Sequence, residues 1–266
     1  MELSEKKIIL DCAVILPIFT TKLSHNELNS IKSNIEVLKK WDHIIICPET
    51  KFEETQNFLN SFQFNCKIIK LKDYHFQSVT TYDQLLRKRW FYELFKDYRF
   101  ILITQPDVVI FKDDLAKWIE KNFDYIGAPW VIKDSKENIN FYVGNGGFSL
   151  RKIRSFLDSF NRLKILKCPI WYLEKKGISK RLAFIFQFVF GFNRFVFSKK
   201  LHEDFFWSQL IPSTNKKFVV APPEIAFEFA IENFEGINFD QIPFAVHAWE
   251  KFAPENIKKK IQEFIS

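Results

Sequence analysis

Four cysteines are all this 266-residue chain has. Cys12, Cys47, Cys66 and Cys168 lie far apart, the first three in apolar strand-like runs where cysteine acts as a small buried hydrophobe. The expectation is a reduced, cytoplasmic protein. Glycine is also scarce, with 7 residues, and the loop after the first strand-like run, Pro17 to Lys22, contains none. That counts against the Gly- and basic-rich loop of a nucleotidyltransferase there, and the loop at Gly144–Gly147 lacks the spacing of a P-loop or a dinucleotide fingerprint. No apolar run is long enough to span a membrane: the stretch after Met1–Lys7 ends at Pro17 and lacks a signal-peptide cleavage pattern. A concentrated basic arm is missing too, which disfavours a dedicated nucleic-acid binder. No long polar tract suggests disorder, and no internal repeat is visible.

What the chain does have is an apolar share of 47 %, charged residues at 27 %, a net charge of +7 and 32 phenylalanines. The first two figures fit a globular protein with a sizeable core, and the length suits one domain. The positive charge implies attraction to something anionic, whether nucleic acid, a membrane surface or a phosphorylated small molecule. A phenylalanine surplus beside a single methionine fits an AT-rich coding sequence, and no function is drawn from it.

Strand-like and helix-like segments alternate. Ile8–Leu16 reads as a buried strand, and Ser24 and Glu27 have capping-box spacing ahead of Leu28, Ile31, Ile35 and Leu38 on one helical face. His43–Cys47 is a strand, Glu49–Phe62 a helix and Cys66–Leu71 a third strand. The pattern predicts an α/β fold with a parallel sheet, whose ligands lie beyond the carboxyl ends of strands. A helix over about Tyr82–Phe95 leads to the buried strand Phe100–Thr104 and then Gln105-Pro106-Asp107. Val108–Phe111 continues extended, Leu115–Lys121 is helical, and Tyr125–Trp130 is a strand and turn. Gly144-Asn145-Gly146-Gly147 follows and holds three of the 7 glycines. Lys152–Leu163 reads as helix, a basic and aromatic insertion occupies 164–200, and His202-Glu203-Asp204 opens a short helix. The chain closes with a strand over Pro243–Trp249 and an amphipathic helix from Pro254.

Each chemical candidate has two readings. Asp107, at the end of a buried strand, could hold a divalent cation bridging a diphosphate, or it is a turn residue after proline. The glycine loop could let a sugar or phosphate approach the backbone, with Asn145 offering an amide, or it only joins two strands. Glu203 and Asp204 favour a helix N-terminus electrostatically, or one of them removes a proton from an acceptor hydroxyl. A lone histidine such as His247 is more often a hydrogen-bonded structural group than a ligand, and only its pairing with Asp107 makes metal binding attractive.

Taken in order, Ala13–Pro17, Phe76–Asp83, Gln105–Asp107, Tyr125–Trp130, Val143–Arg151, His202–Ser208 and Pro243–Lys251 resemble a family of uncharacterised microbial proteins assigned to the GT-A glycosyltransferase superfamily. The resemblance runs from about Cys12 to Lys251. It implies a single compact GT-A-like domain: a nucleotide-binding half over about 8–111, an acceptor-binding half over about 112–251 and a C-terminal helix over 252–266. A divalent cation, Mn or Mg, is expected on Asp107 and His247. Asp107 takes the last acidic position of an Asp-any-Asp motif whose first position here is Gln105. Asp204 falls where inverting members place the general base, with Glu203 next in line.

The reading that follows is a glycosyltransferase using a nucleotide sugar, UDP-linked, and a saccharide or lipid-linked saccharide acceptor in bacterial surface glycan synthesis. Pro17, Phe19, Tyr82, Asp83, Gln105, Asn145, Gly146, Gly147 and Lys251 are assigned to the donor, and Trp130 and Trp207 to the acceptor. Two other classes stay open. A non-catalytic binder of sugar nucleotides or glycans would bind donor without turnover, whereas a nucleotidyltransferase should carry a Gly- and basic-rich loop after its first strand. In the insertion, Leu182–Phe190 and Phe192–Phe197 flanked by Lys175, Lys176, Lys180, Arg181, Arg194, Lys199 and Lys200 suit docking on an anionic cytoplasmic leaflet. Burial against the core or a second subunit is the competing expectation.

Overall fold

The computed structural model describes residues 10–133, 139–162, 202–234 and 241–266. The insertion over 164–200, with its membrane-docking expectation, and Cys168 lie outside the described residues. A six-stranded sheet forms the centre, built from β1 (Leu10–Pro17), β2 (Asp42–Pro48), β3 (Lys67–Leu71), β4 (Tyr98–Thr104), β6 (Tyr125–Gly127) and β9 (Phe148–Lys152) in the order β3-β2-β1-β4-β9-β6. The strands β3, β2, β1 and β4 run parallel, and β9 lies antiparallel between β4 and β6. This is the mostly parallel α/β architecture that the alternation predicts. Strands covered on both faces need continuous apolar runs, and Ala13, Ile15, Ile45, Ile46, Ile101, Leu102 and Ile103 are fully buried.

The chain winds outward from β1 through β2 to β3, then returns across β1 to lay down β4 on the other side. That reversal makes the carboxyl ends of β1 and β4 a topological switch point, where a crevice opens between loops that diverge. Helix α1 (His25–Val37) starts on the Ser24 capping box, with the Ser24 hydroxyl accepting from the Glu27 N–H and the Glu27 carboxylate accepting from the Ser24 N–H. From the same helix, buried Asn34 donates to the Val108 carbonyl and accepts from the Ile110 N–H, each at 2.8 Å. It thereby satisfies one edge of β5 (Val108–Ile110), as a neighbouring strand would.

The other edge of β5 pairs antiparallel with β11 (Ala245–His247), which in turn pairs parallel with the two-residue β10 (Ala230–Ile231). Behind this small sheet the C-terminal helix, Glu255–Ile265, buries Ile257, Ile261 and Ile265 at four-residue spacing together with Val109 and Val246. Each such isoleucine contributes about 1.5–3 kcal/mol. The hairpin of β7 (Pro129–Lys133) and β8 (Ile139–Val143) stands beside the glycine loop. No helix among the described residues is long and apolar enough to cross a membrane.

Candidate active site

Strand register places the chemistry. Thr104, the last residue of β4, faces Phe148, the first of β9, and the Gln105 N–H donates to the Gly147 carbonyl at 2.9 Å. The Gln105–Asp107 turn and the glycine loop therefore leave the sheet side by side. Val108 faces His247 across β5 and β11, and the Ala248 N–H donates to the Asp107 carbonyl at 3.2 Å. Ala248 holds a left-handed φ of 49°, which turns the chain sharply after His247. The His247 ring is thus brought beside Gln105, at the end of β4, from 142 residues further along the sequence.

Asp107 Oδ1 lies 3.4 Å and Gln105 Oε1 3.3 Å from His247 Nε2, while the ring's Nδ1 is 3.2 Å from Glu232 Oε1. Burial disfavours an imidazolium here, but the Asp107 and Glu232 carboxylates on its two nitrogens outweigh that and hold its pKa up to about 9. Burial likewise penalises the Asp107 carboxylate, and His247 overcomes the penalty and keeps it below the ordinary carboxylate range. At Gly147 the requirement is close approach, since a Cβ would lie 2.2 Å from His247 Nε2 and 2.6 Å from Gln105 Oε1. Asn145 folds the loop onto itself: its side-chain carbonyl accepts from the N–H groups of Gly147 and Phe148 at 2.8 Å each.

A cleft of about 500 Å³ opens above these groups. Its walls include Phe19, Tyr82, Asp83, Gln105, Asn145, Gly146 and Gly147 from the expected donor set, Trp130 from the acceptor set, and Asp204 and His247. Asp107 abuts His247 at its margin. Phe19 forms ring contacts with Phe76 at 5.6 Å and with Tyr82 at 5.2 Å, an aromatic wall at the end of β1. Asp83 accepts from the exposed His202 at 3.2 Å, tying the helix Val79–Leu85 to the residues just ahead of Asp204. Among the described lining residues there is no lysine or arginine, against three carboxylates in Asp83, Asp204 and Glu232.

Four expected site residues stand elsewhere. Pro17 is buried at the end of β1 and Lys251 lies over the Phe252 ring, and neither lines the cleft. Trp207 is wholly buried, donates its indole N–H to the Leu86 carbonyl at 3.0 Å and packs against Tyr92 and Phe156, which makes it core and not an acceptor platform. Glu203 is also wholly buried, with its Oε1 2.5 Å from Arg151 Nη1. Burial pushes its carboxyl up to about 8 against the opposing pull of the guanidinium. Its second oxygen lies under Gly146, 3.2 Å from where a Cβ would stand.

Glu203 opens a helical run, Glu203–Phe205, that passes through a π-helical turn, Phe206–Leu210, into Ile211–Thr214. With Glu203 anchored inward, the next residue, Asp204, is left half-buried at the cleft wall. Burial raises its carboxyl to about 7, with the Phe205 N–H opposing and Asp83 adding to the rise. A carboxyl poised there can accept a proton near neutral pH. Sequence reasoning missed His202 and Glu232. Glu232 follows a strand of two residues, too short to carry a periodic signal.

The family model described as "Protein of unknown function (DUF5672)" matches residues 65–247, from just ahead of β3 through His247. The chain belongs to the DUF5672 family. No curated protein matches the sequence. Mouse xyloside xylosyltransferase 1 in its apo form is similar in structure at 11 % identity, covering 91 % of this chain and 98 % of that one with a TM-score of 0.48. Core-mannan synthase A from Aspergillus fumigatus, in a Mn/GDP form, covers 60 % and 65 % at 11 % identity and a TM-score of 0.43. The 4-diphosphocytidyl-2C-methyl-D-erythritol synthase of Anaerococcus prevotii covers 66 % and 82 % at 8 % identity and a TM-score of 0.39.

Proposed function

We propose that this DUF5672 protein is a glycosyltransferase with a GT-A-like fold, moving a sugar from a nucleotide-sugar donor, UDP-linked, to a saccharide or lipid-linked saccharide in bacterial surface glycan synthesis. The observation that carries the reading is the convergence, at one switch-point cleft, of the Asp107–His247 pair, the glycine loop and a poised Asp204.

A divalent cation fits the residues present. Asp107, His247 Nε2 and the Gln105 side-chain oxygen offer oxygen and nitrogen donors around the space that the absent Gly147 side chain leaves. No group of three His, Cys, Asp or Glu among the described residues could hold an ion alone, so donor phosphate oxygens and water would complete the set. The Asp83 and Glu232 carboxylates lining the cleft, with Asp107 at its margin, reinforce the case, because a cation there offsets their repulsion of a diphosphate. Bound there, Mn or Mg would neutralise the charge that develops on the leaving diphosphate.

The chain's own residues supply the rest. Phe19, Phe76 and Tyr82 offer an apolar wall for the nucleobase, and the glycine loop lets the donor sugar approach the backbone of Gly146 and Gly147. Trp130 presents an aromatic surface to a sugar face of the acceptor. Asp204 takes the proton from the acceptor hydroxyl as its oxygen bonds to the anomeric carbon and the diphosphate departs, which inverts the anomeric centre. Lys251 and Trp207 have no part in this mechanism, and Glu203 serves to anchor Asp204.

The test is a panel of UDP-, GDP- and ADP-linked sugars with and without Mn, read by thermal shift and by nucleotide release. A donor should raise the melting temperature only with Mn. Asp107→Asn should abolish release without a comparable loss of melting temperature, because the amide keeps the volume and removes the charge. A full panel without shift or release, or a product with retained stereochemistry by NMR, overturns the proposal.

A further inference from the structure

Glu232 has both carboxylate oxygens engaged at the centre of the cleft. Its Oε2 accepts from Asn145 Nδ2 at 2.7 Å, and its Oε1 stands 3.2 Å from His247 Nδ1. The fold puts it there through register. Ile231, its neighbour in β10, faces Val246 in β11 in a parallel pair, so Glu232 and His247 leave the small sheet together. Asn145 in turn binds the Gly147 and Phe148 N–H groups. One carboxylate therefore links the glycine loop to the ring whose other nitrogen faces Asp107 and Gln105.

We infer that Glu232 is a positioning residue that sets the cation-binding histidine and the donor-sugar loop in one fixed arrangement. The inference rests on the proposed cation site. An imidazole can give only one nitrogen lone pair to a cation, and the hydrogen bond at the other nitrogen decides which. When Nε2 gives up its proton, Glu232 keeps the remaining proton on Nδ1, directs the Nε2 lone pair toward the space beside Asp107 and stops the ring from flipping. A carboxylate suits this place because it must accept from two donors at once. The two partners meet different oxygens of Glu232, and a glutamine would turn an NH2 donor toward one of them, so it could satisfy only one in this arrangement.

Mn binding to the full chain in the presence of UDP, read from the EPR signal of free Mn, tests this without any turnover. Glu232→Gln should weaken Mn binding about tenfold and Glu232→Ala up to about 100-fold, the range that such outer partners control. Glu224→Gln, an exposed acid on the preceding helix, should leave it unchanged. Nitrogen-15 spectra of His247 recorded above about pH 9, where the ring is neutral, should show a single tautomer in the wild type and a mixture in Glu232→Gln, a change that a merely structural glutamate would not cause. Should Glu232→Ala fail to fold, the volume-conserving glutamine carries the test. A folded Glu232→Gln protein with wild-type Mn affinity and unchanged His247 nitrogens overturns the role of Glu232 and leaves the glycosyltransferase reading standing. A wild type that binds no Mn with UDP overturns both.

Discussion

At Asp204 the proposed chemistry and the stability of the fold pull in opposite directions. A carboxyl in an unfolded chain titrates near pH 4, whereas burial at the cleft wall raises this one to about 7. Between those values the folded protein holds a proton that the unfolded chain has released, so the group's contribution to stability falls as pH rises from about 4 to about 7. Asp204→Asn should therefore raise the melting temperature at pH 8 and leave it unchanged near pH 4. The same variant should lose roughly 100-fold or more in turnover. In the wild type, kcat/KM should fall as pH drops below about 7, and that limb should be missing from what activity the variant retains. A loss of melting temperature at pH 8 would show that the carboxylate stabilises the fold and would count against a poised base.

The helices and strands show where local pattern suffices. The capping box at Ser24 and the buried runs of β1, β2 and β4 are readable because each follows from residues close in sequence. By contrast, the segment expected as one helix over Tyr82–Phe95 splits into Val79–Leu85 and Arg89–Glu93. The Leu86 carbonyl is taken instead by two side chains, the Tyr92 hydroxyl at 2.6 Å and the Trp207 indole at 3.0 Å. The second donor comes from 121 positions away, and no helical periodicity encodes it. That contact also removed Trp207 from the cleft, where the sequence reading had put it. Trp207→Phe keeps an aromatic ring and leaves the carbonyl with one donor fewer, so it should cost about 1–3 kcal/mol in denaturant melts with acceptor KM unchanged. In the small sheet, β5 and β11 fall within the extended runs read at Val108–Phe111 and Pro243–Trp249, whereas the two-residue β10, held only by its pairing with β11, carries no pattern of its own. Asp107 and His247 were legible as single residues, their distance was not, and Glu232 gave no signal at all.

On the scale of the whole molecule, net charge and site charge have opposite signs. The chain carries +7, and composition read that as attraction to an anion, yet the described cleft lining holds three carboxylates and neither lysine nor arginine. Calorimetry with UDP alone should accordingly find binding at least roughly tenfold weaker than with Mn present, and equal affinities would mean that cations outside the lining neutralise the diphosphate. The π-helical turn at Phe206–Leu210 reaches across the same scale. One continuous rod has Asp204 in the cleft at its start and Trp207 in the core a few positions on, so the two share a fixed rotational phase. Each residue advances an α-helix by about 100°. Removing one residue between Asp204 and Trp207 would swing the carboxylate out of the cleft even if every other side chain kept its identity. Insertions and deletions in this stretch therefore act as gear slips: a substitution spoils catalysis or packing separately, but a change of length forces the protein to give up one to keep the other.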